Sequence, residues 1–207
     1  MHLCESALPS RLIDYSAGLM ARILLLLALL LAAPFFAGCR HSDPVREPVA
    51  TAGAEPNAAL VLSSSSLQDG QFPRAFTCDG EDTSPALAWT APPSNTKSLV
   101  LTVTDPDAHT FTHWVLFNLP ASAKSLPENI PKQDQLADGS RQGRNDFAKI
   151  GYAGPCAPRR STHRYFFDLF ALNSTLDLPA GATRAQVEDA MNTHVVARGK
   201  LMARYSR

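Results

Sequence analysis

The chain has 207 residues, 45% of them hydrophobic and 18% charged, a make-up that fits one ordinary globular domain with appendages. Lysine plus arginine equals aspartate plus glutamate, at 19 each, so the formal net charge is zero. A balanced surface argues against field-driven binding of nucleic acid or of an anionic membrane surface, and confines any anion recognition to a local pocket.

Residues 1–38 read as a segment to be removed. Arg22 precedes an apolar run, Ile23 to Leu31, which continues through Ala32, Ala33, Pro34, Phe35, Phe36 and Ala37 and closes at Gly38-Cys39. A basic residue, a short apolar stretch and a small-residue cleavage site make a secretory signal. The run is short for a spanning helix, which needs about 20 residues. Ala37-Gly38-Cys39 resembles a bacterial lipobox, in which Cys39 is lipidated and becomes the mature N-terminus; a plain signal peptide or a single anchor helix is the alternative. Met20 opens a complete signal by itself and is a second candidate start. Arg40, not Asp, follows Cys39, which resembles the outer-membrane sorting pattern of Gram-negative lipoproteins and predicts a lipid-anchored protein on the periplasmic face. Residues 39–59 are rich in Pro, Ala, Glu and Thr and read as a flexible tether. That leaves residues 60–207 as the globular domain, with no internal repeat.

Of the four cysteines, Cys4 is lost with the signal and Cys39 is lipidated, leaving Cys78 and Cys156. Two thiols in an oxidising compartment invite a disulfide, with two separate buried thiols as the alternative. No CxxC or His-x-x-x-His spacing suggests a metal.

Within the domain, strand character falls on Leu60–Leu67, Ala86–Thr90, Ser98–Thr104, Thr112–Leu119 and His163–Leu172, which are β-branched, aromatic or alternating. Pro- and Gly-rich turns separate them: Ala91-Pro92-Pro93, Asp105-Pro106-Asp107 and Gly154-Pro155. One helix is predicted. Thr183 and Gln186 form a capping box, Val187, Ala190, Met191, His194 and Val195 share a face, and Gly199 ends it. Lys200–Tyr205 reads as a last strand. Many strands with one late helix predict a mainly β sandwich.

Three segments bring polar groups to strand ends. In Thr104-Asp105-Pro106-Asp107-Ala108, Pro106 keeps Asp105 extended and can hold a carboxylate at the end of a strand; an ordinary Asx turn is the plain alternative. His113 lies in an apolar strand and needs a hydrogen-bond partner there. Gly151 to Pro158 is a Gly/Pro loop of the kind that lets backbone amides approach an anion. Just beyond it, His163 and Tyr165 point to one side of a strand. Core packing alone accounts equally well for these histidines and the tyrosine.

Taken in order, T-C-D-G-E-D-T-S-P-A-L-A-W (77–89), D-P-D-A (105–108), H-W-V-L-F-N-L-P (113–120), G-R-N-D-F (143–147), G-Y-A-G-P-C-A-P (151–158) and H-R-Y (163–165) resemble the phosphatidylethanolamine-binding protein family, in its bacterial Raf kinase inhibitor-like branch. The resemblance runs from about residue 60 to the C-terminus. It implies a sandwich of two antiparallel sheets with Greek-key order, a C-terminal helix and a last strand. It also implies a shallow pocket for phosphate-like anions lined by Asp105, Asp107, His113, Gly154, Pro155, His163 and Tyr165, and it brings Cys78 and Cys156 together near that pocket. One departure is His109, where many relatives carry proline.

On this reading, protonated His113 or His163, the Tyr165 hydroxyl and loop amides donate to the anion. Asp105 fixes a histidine tautomer, and Asp107 either faces the ligand or braces the loop. The leading function is a non-catalytic binding module for phosphate, a phosphoethanolamine-like head group or a carboxylate. The alternative is a protein-interaction regulator, inhibiting a kinase or protease, with the pocket as its regulatory site; export argues against a kinase. A hydrolase is the third reading, weakened because Ser140 and Ser161 lie in no G-x-S-x-G context. The reading calls for no cofactor and no nucleic acid. It includes a membrane held through the lipid anchor, and leaves room for a protein partner or a homodimer.

Overall fold

The computed structural model describes residues 58–207; the expected signal segment, Cys39 and the tether as far as residue 57 lie outside the described residues. Ala58–Ala59 form β1, followed by β2 (Leu62–Ser63), β3 (Leu87–Trp89), β4 (Ser98–Asp105), β5 (Phe111–Pro120), β6 (Ser125–Leu126), β7 (Arg141–Gln142), β8 (Thr162–Leu172), helix α1 (Arg184–Met191) and β9 (Val195–Ser206). Six strands make one sheet in the order β1-β9-β8-β4-β5-β7, and three make a second in the order β2-β3-β6. All pairings are antiparallel except β1 with β9 at the edge. The run β8-β4-β5-β7, in which β8 returns beside β4, is a Greek-key order.

Strand periodicity sorts the core into two layers. Leu99, Leu101, Val103, Trp114, Leu116, Tyr165, Phe167 and Leu169 of the large sheet face Leu62, Leu87, Trp89 and Leu126 of the small one. The intervening positions Val100, Val115 and Phe117 face the other way and are covered by Val187 and Met191 of α1. The capping box forms as expected: Gln186 N donates to Thr183 Oγ1 at 3.4 Å and Thr183 N to Gln186 Oε1 at 2.9 Å.

Three expected elements come out differently. The helix stops at Met191, and Val195 begins β9 rather than closing the helical face. Two adjacent β-branched residues, Val195-Val196, and a full partner strand in β8 outweigh the helical spacing. Gly199 is consequently a mid-strand residue, paired with Leu169. A Cβ there would sit 2.6 Å from the Leu60 carbonyl oxygen, so the glycine admits the entering chain. The expected strand over Leu60–Leu67 shrinks to Leu62–Ser63, because the serines that follow use their hydroxyls on other partners. Ser64 Oγ donates to Ala86 O, and Ser66 Oγ donates to Glu128 Oε1.

Candidate functional site

β4 ends at Asp105, 3% exposed, and Pro106–Ala108 turn immediately after it. One carboxylate oxygen, Oδ1, accepts from the amides of Asp107 (2.9 Å) and Ala108 (3.2 Å). That is the Asx turn the Asp-Pro sequence allows. The other oxygen, Oδ2, lies 2.7 Å from Nδ1 of His163 on β8. An ionised carboxylate only accepts, so His163 is assigned as the donor, with a proton on Nδ1. The turn closes through His109 (φ 54) and Thr110 (φ 59). Proline holds φ near about −65°, so at residue 109 it could not make this connection; the departure noted in the sequence is a conformational requirement.

His113, 3% exposed, faces the same space from β5. Its Nδ1 lies 2.7 Å from the Ala153 carbonyl oxygen. A carbonyl accepts only, so here too the proton sits on Nδ1 and the lone pair on Nε2. Burial lowers the pKa of this ring, against the opposing pull of the Ala153 carbonyl and of Asp105 and Asp146, and so favours the neutral form. Among the described residues, the buried side-chain polar atoms without a partner are Thr96 Oγ1 and the Tyr165 hydroxyl. Neither histidine Nε2 is among them, and both rings line one cleft.

That cleft has a volume of about 220 Å³ and is lined by Asp105, Ala108, Phe111, His113, Phe147, Cys156, Pro158 and His163. Its walls are mainly apolar. Phe111, Phe147 and His113 pack with ring centroids 4.8–5.6 Å apart. Phe147 is 40% exposed at the rim. Asn145 holds it there: Oδ1 accepts from the amides of Phe147 and Lys149, while Nδ2 donates to Gly151 O.

Of the seven residues expected to line the pocket, the structure brings Asp105, His113 and His163 together and puts the other four outside the lining. Asp107 turns away to Arg164, accepting from its backbone amide (2.8 Å), Nε (3.0 Å) and Nη2 (2.6 Å). Those hydrogen bonds hold its carboxyl well below the ordinary carboxylate range, so Asp107 braces the turn against β8. Tyr165 is fully buried beneath His113, centroids 5.2 Å apart. Desolvation and the nearby Asp105 charge raise its pKa, so it stays a phenol behind the cleft. The amide of Gly154 is consumed by Asp82 Oδ1 at 2.6 Å, and the Pro155 carbonyl accepts from Cys78 N. The loop therefore offers no anion nest at Gly154.

Gly154 is instead a packing residue. A Cβ there would lie 2.4 Å from the Phe76 carbonyl oxygen and 2.8 Å from Thr77 Cα. Gly154→Ala is expected to destabilise the protein by about 1–3 kcal/mol, as overpacking does. A lowered midpoint in urea with an unchanged slope is the measurement; an unshifted midpoint rejects it.

The sequence reading missed Ala108, Phe111, Phe147, Cys156 and Pro158 as lining. Phe111 carried a usable signal, since it stands two residues before His113 and therefore on the same strand face. Phe147 closes the G-R-N-D-F segment. Cys156 lines the cleft and has its sulfur 2.06 Å from that of Cys78, with Cα atoms 5.4 Å apart.

A family model described as phosphatidylethanolamine-binding protein matches residues 63–206. A UPF0098 protein of Methanothermobacter thermautotrophicus is 48% identical over 140 residues, covering 67% of this chain and 92% of that protein. The UPF0098 protein YbhB of Escherichia coli is 41% identical over 158 residues, covering 71% of this chain and all of that one. The crystal structure of E. coli YbcL, described as a member of the mammalian PEBP family, superposes with a TM-score of 0.67 at 30% identity, over 72% of this chain and 99% of that one.

Proposed function

The chain belongs to the phosphatidylethanolamine-binding protein family, and from that premise we propose that it is a non-catalytic binding protein whose cleft holds the acid end of a small phosphate-like ligand. The observation that carries this reading is the convergence of His113 and the Asp105–His163 pair in one small, mostly apolar cleft. Polar atoms on an apolar wall orient a ligand by its acid group and leave its remainder against the aromatic rings. A volume of about 220 Å³ suits a head group; drug-sized ligands take roughly 300 Å³ or more.

The lining supports binding rather than turnover. It contains no serine or threonine, and its one thiol, Cys156, is held against Cys78. The test is calorimetric or NMR titration of the full chain with phosphate and with phosphoethanolamine. His113→Ala and His163→Ala are each expected to weaken binding by roughly tenfold or more, the value of one lost or orphaned hydrogen bond. Equal responses in wild type and both variants would remove these residues from the site. Release of phosphate from a phosphomonoester on incubation would overturn the non-catalytic part.

The proposal extends to export. Cys39, outside the described residues, is the residue we expect to carry the lipid that holds the domain at the membrane. Cys39→Ser is expected to abolish globomycin-sensitive processing and to release the protein from the membrane fraction. Unchanged processing and partitioning would sink the lipoprotein assignment.

A further inference from the structure

The large sheet has a second face, turned away from the small sheet, and α1 covers only part of it. Beside the helix, β4, β8 and β9 bring Thr102, Asp168 and Lys200 into one row and Thr104 and Phe166 into the next. A groove of about 310 Å³ lies over these rows. Arg184 and Glu188 of α1 contribute to its lining, as do Pro106 and Thr110 of the turn after β4.

The most deeply set of these residues are polar. Thr102 and Thr104 are 2% and 8% exposed and both line the groove. Neither hydroxyl forms a hydrogen bond among the described residues, and neither is among the sealed atoms without a partner. An ordinary solvated sheet face displays its polar side chains to water. Here two hydroxyls are recessed between a helix and a neighbouring strand, where a polar group costs stability until something bonds it.

Around them stand charges of both signs in equal number. Arg184 Nη1 pairs with Glu188 Oε1 at 2.7 Å, and Lys200 Nζ with Asp168 Oδ1 at 2.9 Å. Arg184 Nε also donates to Thr112 Oγ1 at 3.1 Å, which fixes the guanidinium against the sheet. Each pair leaves polar capacity unused: the second oxygen of each carboxylate can accept, and Arg184 Nη2 and the remaining Lys200 hydrogens can donate. Phe166 and Phe170, both half-buried, set apolar rings among these groups, and Lys200 Nζ stands 4.8 Å from the Phe166 ring centroid.

An anion would meet two carboxylates there and a cation two basic groups, and the lining has no net charge to favour either. A hydroxyl donates and accepts at once. A molecule carrying several hydroxyls can therefore bond both members of each ion pair, and the two threonines, without separating either pair. A sugar ring also presents C–H surface between its hydroxyls, which the two phenylalanines can cover. We propose that this groove is a second ligand site, for a neutral polyhydroxylated molecule of mono- or disaccharide size. Its volume stands at the lower end of the usual range for ligand pockets, roughly 300 Å³. The site is separate from the cleft at Asp105 and does not depend on the function proposed for that cleft.

Two variants probe it without dismantling the fold. Thr102→Val keeps the shape and removes a recessed hydroxyl. Because that hydroxyl has no protein partner, the variant should be at least as stable as wild type. Phe166→Leu keeps an apolar side chain and removes the ring.

The experiment is NMR titration of the full chain with cellobiose, maltose and N-acetylglucosamine, and in parallel with diglycine as a zwitterion and sodium sulfate as an anion. At least one saccharide is expected to give saturable shifts in the amide signals of residues 102–104, 166–170 and 184–188, and to bind tighter than diglycine or sulfate. Thr102→Val should weaken that binding roughly tenfold, the value of one hydrogen bond at a desolvated site, and Phe166→Leu should weaken it several-fold. Saturable shifts from none of the three saccharides, or affinity unchanged in both variants, overturn the site. Diglycine or sulfate binding there as tightly as the best saccharide overturns the ligand class. Shifts of the same signals on concentrating the protein alone, with a doubled mass in sedimentation, would give the face to a second copy of this chain and overturn the proposal.

Discussion

Replacing Asp105 with Ala is expected to lower the unfolding free energy by about 3–5 kcal/mol, the range for removing one member of a buried, hydrogen-bonded pair. That would be a large share of a typical domain's roughly 5–15 kcal/mol. The carboxylate is 3% exposed and satisfies three donors: the Asp107 and Ala108 amides and His163 Nδ1. Alanine orphans all three at once. The two amides would lose the acceptor that fixes the turn after β4. His163 would keep an N–H with no acceptor beside it, or flip its tautomer.

Asp105→Asn separates the two parts of this expectation, since it retains the turn acceptor and should lose much less stability than Ala. Equilibrium urea unfolding of both variants is the measurement, and a loss in the alanine variant below about 1 kcal/mol would mean that water replaces the carboxylate at little cost. Phosphate affinity should fall in the alanine variant even in conditions where it is folded, because the His163 ring is no longer oriented.

The elements that span the core were legible because their side chains repeat with period two and because β-branched and aromatic residues fill them. Ser98–Asp105, Phe111–Pro120 and Thr162–Leu172 were all placed within two residues of where they form. What could not be read were the two-residue strands β1, β6 and β7. Each exists only because a distant partner offers a free edge, as Gln142 does by pairing with Leu116. Gly199 misled for the same reason. Its backbone is used to admit Leu60, more than a hundred residues earlier in the chain, and nothing local distinguishes that from a helix stop.

The site divides along the same line. Asp105, His113 and His163 were recognisable because each is a polar group in a place where its strand has no use for one. Their roles were less legible than their identities. The Nδ1 of each ring is held by an atom far away in the chain, the Ala153 carbonyl for His113 and the Asp105 carboxylate for His163. Gly154 looked like an anion-binding glycine until its amide proved to serve Asp82, which is 72 residues away. Asp107 and Arg164 meet across 57 residues, a pairing that no spacing rule contains.

The second large effect is expected at Cys78 and Cys156. A covalent link between them should contribute about 4 kcal/mol by restricting the unfolded chain across a separation of 78 residues. The Cα atoms stand 5.4 Å apart, inside the usual range for a bonded pair. The two segments are already joined by the backbone bond from Cys78 N to Pro155 O at 3.1 Å. The bond would therefore close a loop that the fold has already drawn together, with little rearrangement of the native state. The surroundings tie the same corner to the C-terminus: Arg207 Nη1 reaches Cys156 Sγ at 3.4 Å, Arg207 Nη2 pairs with Asp79 at 3.0 Å, and Tyr205 donates to Asp79 at 2.6 Å. Because Cys156 lines the cleft, cutting the link should cost ligand affinity as well as stability. Cys78→Ser/Cys156→Ser, or reduction of the wild type, should lower the urea midpoint accordingly and weaken phosphate binding, whereas the same reductant should change nothing in the double variant. Peptide mapping under non-reducing conditions must find the two cysteines in one linked fragment in protein purified without reductant. Two free thiols in that material would leave the corner held by hydrogen bonds and the Arg207–Asp79 pair alone, and the expected stabilisation would vanish with the bond.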